Sequence, residues 1–259
     1  MTDILLQYHH HDTQMETAPD YTASKMGSRL FGWLLLAVIV LILLSVAVNV
    51  GGRLLGPLIA RGGHSDSTHG YEIIIGNNVL SIPANMIRFS NQRRDGVTRR
   101  LDLYARWPGL TGYTERDRAI FNLLTSKRHL IFMSIEQRTM SRDMSGRYLA
   151  IYAELIDPNG ETAPGNLTVH RFLESSGYKG EELVLSDPSS GKPEFVARCL
   201  ADSGAESFNS CERDVQFGRD LQILYRFPRS MLGEWKSLDK AIVDFANAHL
   251  LGNDTKQID

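Results

Sequence analysis

Cysteine is scarce in this chain: 259 residues contain two, Cys199 and Cys211. So few thiols exclude a multi-cysteine zinc module and a disulfide-dense miniature scaffold. An excess of one charge is also missing. The 28 Lys and Arg against 30 Asp and Glu leave a formal net charge of −2, so no global field draws the chain to nucleic acid. There is no P-loop, no GxGxxG opening a helix, no GxSxG elbow, no HExxH and no CxxC. The common signatures of nucleotide, hydrolase, zinc and thiol-redox chemistry are therefore lacking, and no cofactor, metal or catalytic residue is assigned. Two carboxylates converging from distant positions would leave no such signature. An envelope hydrolase acting on cell-wall or lipid material thus stands as the alternative function.

The third absence is local. From Leu30 to Gly52 there is no charged residue, and LFGWLLLAVIVLILLSVAVNV fills Leu30 to Val50. About 20 apolar residues rising 1.5 Å each cross a hydrocarbon core of about 30 Å. Leu30, Trp33, Leu44 and Val50 mark this anchor, with the Trp33 ring near one end, where amphipathic rings favour the headgroup level. A buried core helix would be shorter and show a polar face. A cleaved signal peptide would have a shorter apolar region after a shorter leader. Lys25 and Arg29 on one side and Arg53 and Arg61 on the other nearly balance the positive-inside count. The short polar N-terminus and the two cysteines on the far side decide for N-terminus in and C-terminal domain out. The expected division is a cytoplasmic tail over 1–29, a transmembrane helix over 30–52, a linker over 53–70 and a periplasmic domain over 71–259.

In the tail, His9, His10 and His11 are adjacent and so share no helical face, a poor chelating geometry. In the linker, His64, Ser65, Asp66 and His69 are triad residues by type, but a Gly- and Ser-rich loop gives them no rigid support.

Beyond Tyr71 the pattern alternates between strand and helix signals. YEIIIG reads as a buried strand, and SIPANMIRFS as a short helix or turn offering Met86, Ile87 and Phe89 for burial. In RRLDLYARW, Leu101, Leu103, Ala105 and Trp107 face one way, and Arg100, Asp102, Tyr104 and Arg106 the other. Glu115–Thr125 has helical spacing. His129–Glu136, Tyr148–Ile156, LTVHRFL, EELVLS, Phe195–Leu200, Asn209–Phe217 and Leu221–Phe227 read as strands. Trp235, Leu238, Ala241, Ile242, Phe245 and His249 mark a closing helix, with Ser237 as its N-cap and Gly252 as its stop. The fold class is α+β: a mainly antiparallel sheet with two or three helices on one face, after one N-terminal transmembrane helix.

Between Cys199 and Cys211 lies the polar stretch ADSGAESFNS, which suits a hairpin loop. If the flanking strands pair, the thiols face each other, and a bridge would stabilise the domain by roughly 3 kcal/mol. It would persist in an oxidising compartment. Two independent buried thiols are the other reading. Arg88, Arg93, Arg94, Arg99, Arg100 and Arg106 crowd into one short segment. They suit an anionic partner, whether an acidic protein, lipid headgroups or a cell-wall polymer, or else a solvated face of local ion pairs.

At SIPANMIRF, RRLDLYARWPGL and the Cys199/Cys211 region the sequence resembles a set of alphaproteobacterial proteins described only as transmembrane-anchored. The resemblance runs from the apolar helix to the end of the chain. It implies one anchor and an inner-membrane address, and it transfers no activity and no site residue. Together these features predict an envelope protein whose domain binds or scaffolds a membrane or periplasmic protein, in the manner of an accessory subunit. The other expected contact is the lipid bilayer, and nucleic acid is not a partner.

Overall fold

A computed structural model describes residues 27–60, 62–122, 130–187, 189, 192–201 and 210–252. The expectations for the tail, including His9–His11, for the last three residues of the Glu115–Thr125 helix and for most of the 201–210 loop lie outside these residues.

The N-terminal unit, Met1–Gly56, holds most of helix α1 (Gly27–Ala60), whose last turn belongs to the second unit. Its stretch Arg29–Gly51 is long and apolar enough to cross a membrane. The helix continues past Gly52, into residues the sequence assigned to the linker. Gly51 and Gly52 carry only a propensity cost of about 1 kcal/mol each, which does not by itself stop a helix.

The strands of the second unit, Pro57–Asp259, begin with β1 (Gly70–Ile75) and β2 (Asn78–Pro83), an antiparallel hairpin. A short strand β3 (Gly96–Val97) adds parallel to β1. Then come β4 (Arg100–Arg106), a short helix α2 (Arg118–Asn122) and β5 (Leu130–Gln137). The chain then crosses to the far edge of the sheet and returns as a meander through β6 (Glu161–Ala163), β7 (Leu167–Arg171), β8 (Glu181–Leu185), β9 (Val196–Leu200), β10 (Cys211–Phe217) and β11 (Leu221–Phe227). The chain closes with α3 (Trp235–Ala248) and β12 (Leu250–Leu251). Two sheets result. A four-stranded sheet has the order β12-β2-β1-β3, and an eight-stranded one the order β4-β5-β11-β10-β9-β8-β7-β6. The domain is α+β and mainly antiparallel, as its alternating pattern predicts.

Burial follows the period of two. Leu101, Leu103, Ile131, Met133, Ile135, Ile223 and Tyr225 turn to one face of the large sheet. There they form a single cluster with Ile73, Ile75, Leu80 and Ile82 of the small sheet and Trp235, Leu238, Ile242 and Phe245 of α3. The opposite face is covered at its two ends: Met144, Tyr152 and Ile156 pack on Leu183, Leu185 and Val196, and Tyr113 and Phe121 pack on Tyr104 and Leu130.

Five local expectations are corrected. Tyr148–Tyr152 forms one π-helical turn rather than a strand. Met144, Tyr148, Tyr152 and Ile156 all join the same cluster, and a spacing of four satisfies the strand period and approximates the helical one. In the SIPANMIRFS segment, Ser81–Pro83 ends β2 and only Ala84–Met86 forms a 3-10 turn. Met86 and Ile87 are buried and Phe89 is exposed. Tyr104 is buried, not solvent-facing, because the segment after β4 folds back over it with Tyr113 and Phe121. Ser237 sits inside the first turn of α3, where its hydroxyl donates to the Glu234 carbonyl, 2.8 Å. The helix is entered instead through the 3-10 turns of Arg229–Glu234. Gly252 follows β12 rather than α3.

Candidate binding surface

The six arginines do not act together. Arg93 points inward, donating to the carbonyls of Ile87 at 3.1 and 3.0 Å and of Arg88 at 3.2 Å. Arg100 pairs with Asp102 at 2.9 Å and lies 4.0 Å from Glu136. Arg106 pairs with Asp117 at 2.8 Å. Arg94 and Arg99 are exposed. Arg88 lies over the rings of Phe89 and Phe132, 4.9 and 4.8 Å from their centroids. The segment Arg88–Arg100 is a connection from the edge of one sheet to the edge of the other. Its arginines therefore divide between locking that connection and facing water.

Arg88 and Arg100 do belong to a larger surface that the arginine count alone does not reveal. The middle of the large sheet's outer face, between its two covered ends, carries Asp102 on β4; Phe132, Ser134 and Glu136 on β5; and Gln222, Leu224 and Arg226 on β11. Strand pairing sets them in rows: Arg100–Glu136–Gln222, Asp102–Ser134–Leu224–Asp214 and Tyr104–Phe132–Arg226–Glu212–Arg198. Cross-strand partners lie about 4.5–5.5 Å apart at Cβ, so opposite charges meet laterally. Gln222 donates to Glu136 at 3.0 Å. Glu212 accepts from Arg226 at 3.2 Å and from Arg198. Asp214, nearly buried, accepts from Arg147 at 2.6 Å. Arg198 also lies over Tyr178 and faces Glu181 at 3.3 Å. Burial raises the Glu181 pKa, and Arg198 works against that. Phe132 and Leu224 are the half-buried apolar centre of this charged grid. Beside it a hollow of about 250 Å³ is lined by Met140, Ile151, Tyr178, Arg198, Glu212 and Leu224. The signal for this face was present in Ser134 and Glu136 of FMSIE and in Gln222 and Arg226 of LQILYRF, but which strands lie side by side was not.

A second concavity, about 700 Å³, opens between β6, β7 and the 3-10 turns before α3. Its Glu182 is tied to Arg229 at 2.5 Å. Its Asp157 caps the backbone N–H of Asn159 at 2.8 Å. Arg171 lines the same cleft and is exposed.

His64 has more support than a Gly-rich loop predicts. Its ring stacks on Tyr113 with centroids 4.8 Å apart and meets Tyr104 and Phe121 edge-on. Nδ1 lies 2.9 Å from the Tyr104 hydroxyl and Nε2 3.2 Å from Asn122 Oδ1. A neutral ring protonated at Nε2 satisfies both contacts. Burial lowers the His64 pKa; the Asn122 hydrogen bond works the other way, and the charges of Arg93 and Arg88 lower it further. Burial pushes the Tyr104 hydroxyl up to about 12. His69 meets the Tyr71 ring edge-on instead, with centroids 5.0 Å apart. His64 acts as a pin that fixes the chain ahead of β1.

Cys199 and Cys211 are joined in a disulfide, directly opposite each other across β9 and β10 with Cα atoms 4.0 Å apart. Both are buried in the main core. On α1, Leu30, Trp33, Leu44 and Val50 are all exposed, from 50% to 73%.

No family model matches the chain, and no curated protein does. Two solved structures resemble it. The immunity protein Smlt3025 of the Stenotrophomonas maltophilia type IV secretion system is 14% identical, with a TM-score of 0.50 over 73% of this chain and 96% of that one. The iron-regulated outer membrane lipoprotein FrpD of Neisseria meningitidis is 12% identical, with a TM-score of 0.41 over 72% and 94%. At such identities the likeness to the immunity protein is one of fold alone.

Proposed function

We propose that this chain is a single-pass protein of the bacterial inner membrane. Its N-terminus is cytoplasmic, and its periplasmic domain binds or scaffolds a protein partner within a membrane complex. The observation that carries the binding reading is the strip of the large sheet's outer face between its two covered ends. Phe132 and Leu224 sit there among charges already held in place by cross-strand partners. An apolar centre ringed by pre-positioned charges of both signs is the anatomy of a specific protein interface. Charges held by neighbours also lose less freedom on binding.

Three further features support the reading. The large apolar side chains of α1 from Leu30 to Val50 are exposed around its circumference, as expected of a helix whose solvent is lipid. A structural disulfide persists in an oxidising compartment. The fold is one on which an immunity protein of a secretion system is also built, which fits the reading without carrying it. The alternative, a hydrolase, would use the larger cleft, but Asp157 and Glu182 there already hold Asn159 and Arg229.

The test is capture of the full chain from gently solubilised native membranes, with Phe132→Ala and Arg226→Glu as variants on the uncovered face. A stoichiometric protein recovered with the unaltered chain and lost with the variants supports the proposal. Repeated recovery of the chain alone contradicts it.

A further inference from the structure

The small sheet buries one face and leaves an apolar row on the other. The register places Leu251, Val79, Ile74 and Val97 side by side across all four strands. Their neighbours one residue away, Leu250, Leu80 and Ile73, point into the core. By strand alternation the row therefore lies on the outside. Val97 is 78% exposed and Leu251 45%; Ile74 and Val79 between them are half-buried. A solvated sheet face normally alternates to polar residues here.

Arginines border the row. Arg94 and Arg99 flank β3, and Arg219 is exposed where its backbone N–H donates to Asn78, the residue before Val79. Glu72 and Asp95 lie on the same flank, and Asp95 accepts from the Glu72 backbone N–H at 2.9 Å.

We infer that this face rests on the lipid headgroup region of the bilayer that α1 spans, with Val97 and Leu251 at the acyl boundary and Arg94, Arg99 and Arg219 among the phosphates. The inference depends on the proposal that α1 crosses the membrane. Two arguments select lipid over a second copy of the chain or a protein partner. Only residues 61–69 separate α1 from β1, so the first strand of this sheet can lie no more than about 35 Å from the end of the helix. That tether holds the face at high effective concentration near lipid, where weak contact is enough. A row four residues wide also falls far short of the ~800 Å² per partner that a stable protein interface buries. Exposed aliphatic side chains beside arginines suit an interfacial contact with phospholipid.

The experiment places photoreactive p-benzoylphenylalanine at position 97, at 251 or at the exposed control position 149. The full chain is reconstituted in vesicles of phosphatidylcholine and phosphatidylglycerol, irradiated, and washed with alkaline carbonate. Retention in the vesicles, with lipid adducts at 97 and 251 that are lost at 149, is the expected result. Adduct yield should fall with Arg94→Glu plus Arg99→Glu. Retention without lipid adducts at 97 overturns this inference and leaves the spanning helix standing. Crosslinked dimers in place of lipid adducts assign the face to a second copy and overturn it equally. Release of the chain by carbonate overturns the spanning helix itself, and this inference with it.

Discussion

Arg213 on β10 and Asp239 on α3 form an ion pair inside the domain: Arg213 Nε donates to Asp239 Oδ1 at 2.7 Å, and the arginine is 97% shielded from water. The Tyr225 hydroxyl donates to the same oxygen at 2.7 Å. The rest of the guanidinium is satisfied by Ser145 Oγ and by the carbonyls of Val196 and Glu194. One side chain thus joins β10, β9, α3 and the segment that covers the far face of the sheet. Burial pushes the Tyr225 hydroxyl well above its usual range, with Arg213 pulling the other way.

Removing one partner should cost far more than removing both. Asp239→Ala leaves a buried guanidinium uncompensated and is expected to destabilise the domain by about 3–5 kcal/mol. The double change Arg213→Met with Asp239→Leu should cost clearly less, since it removes the charge as well as its partner. Tyr225→Phe deletes one hydrogen bond and should cost about 1 kcal/mol. Urea unfolding of the three variants measures the order.

The His64 pin makes stability depend on pH. Because burial lowers its pKa below the 6.5 of a free imidazole, the unfolded chain binds more protons than the folded one just below that value. The contribution of His64 is full above pH 6.5 and is lost as the pH falls through 6.5 toward the lower folded value. Unfolding curves on either side of pH 6.5 should show the drop. His64→Phe keeps the ring stack on Tyr113 and should flatten that part of the profile. An unchanged profile would assign the drop to other groups.

The disulfide is expected to be worth about 3 kcal/mol for a loop of this length, where the two cysteines are 12 positions apart. Cys199→Ala with Cys211→Ala should lose that amount and somewhat more, because both sulfurs fill the core. A thiol count on the denatured, unreduced chain from native membranes should find none free.

Much of the fold was legible. The alternation in RRLDLYAR and LQILYRF and the helical stripe from Trp235 to Phe245 set the faces that the core uses. The cysteine pair was legible because its polar spacer implied a hairpin. What was not legible lies in long-range pairing. Leu250–Leu251 is too short to announce itself as a strand, yet it completes the small sheet against β2. His64 looked unsupported because Tyr104 and Asn122, 40 and 58 residues away, complete its contacts. The arginine segment showed as composition, whereas the surface it borders is assembled from β4, β5, β11 and β10, whose side-by-side order no single stretch encodes.

The central claim is that α1 lies in lipid with the domain on the outer side of the inner membrane. A C-terminal fusion to alkaline phosphatase, compared with the same fusion to a fluorescent protein that folds only in the cytoplasm, tests it most directly. Active phosphatase with a dark fluorescent fusion, both in the membrane fraction, is the predicted result. A fluorescent fusion with inactive phosphatase would place the domain in the cytosol and contradict the account.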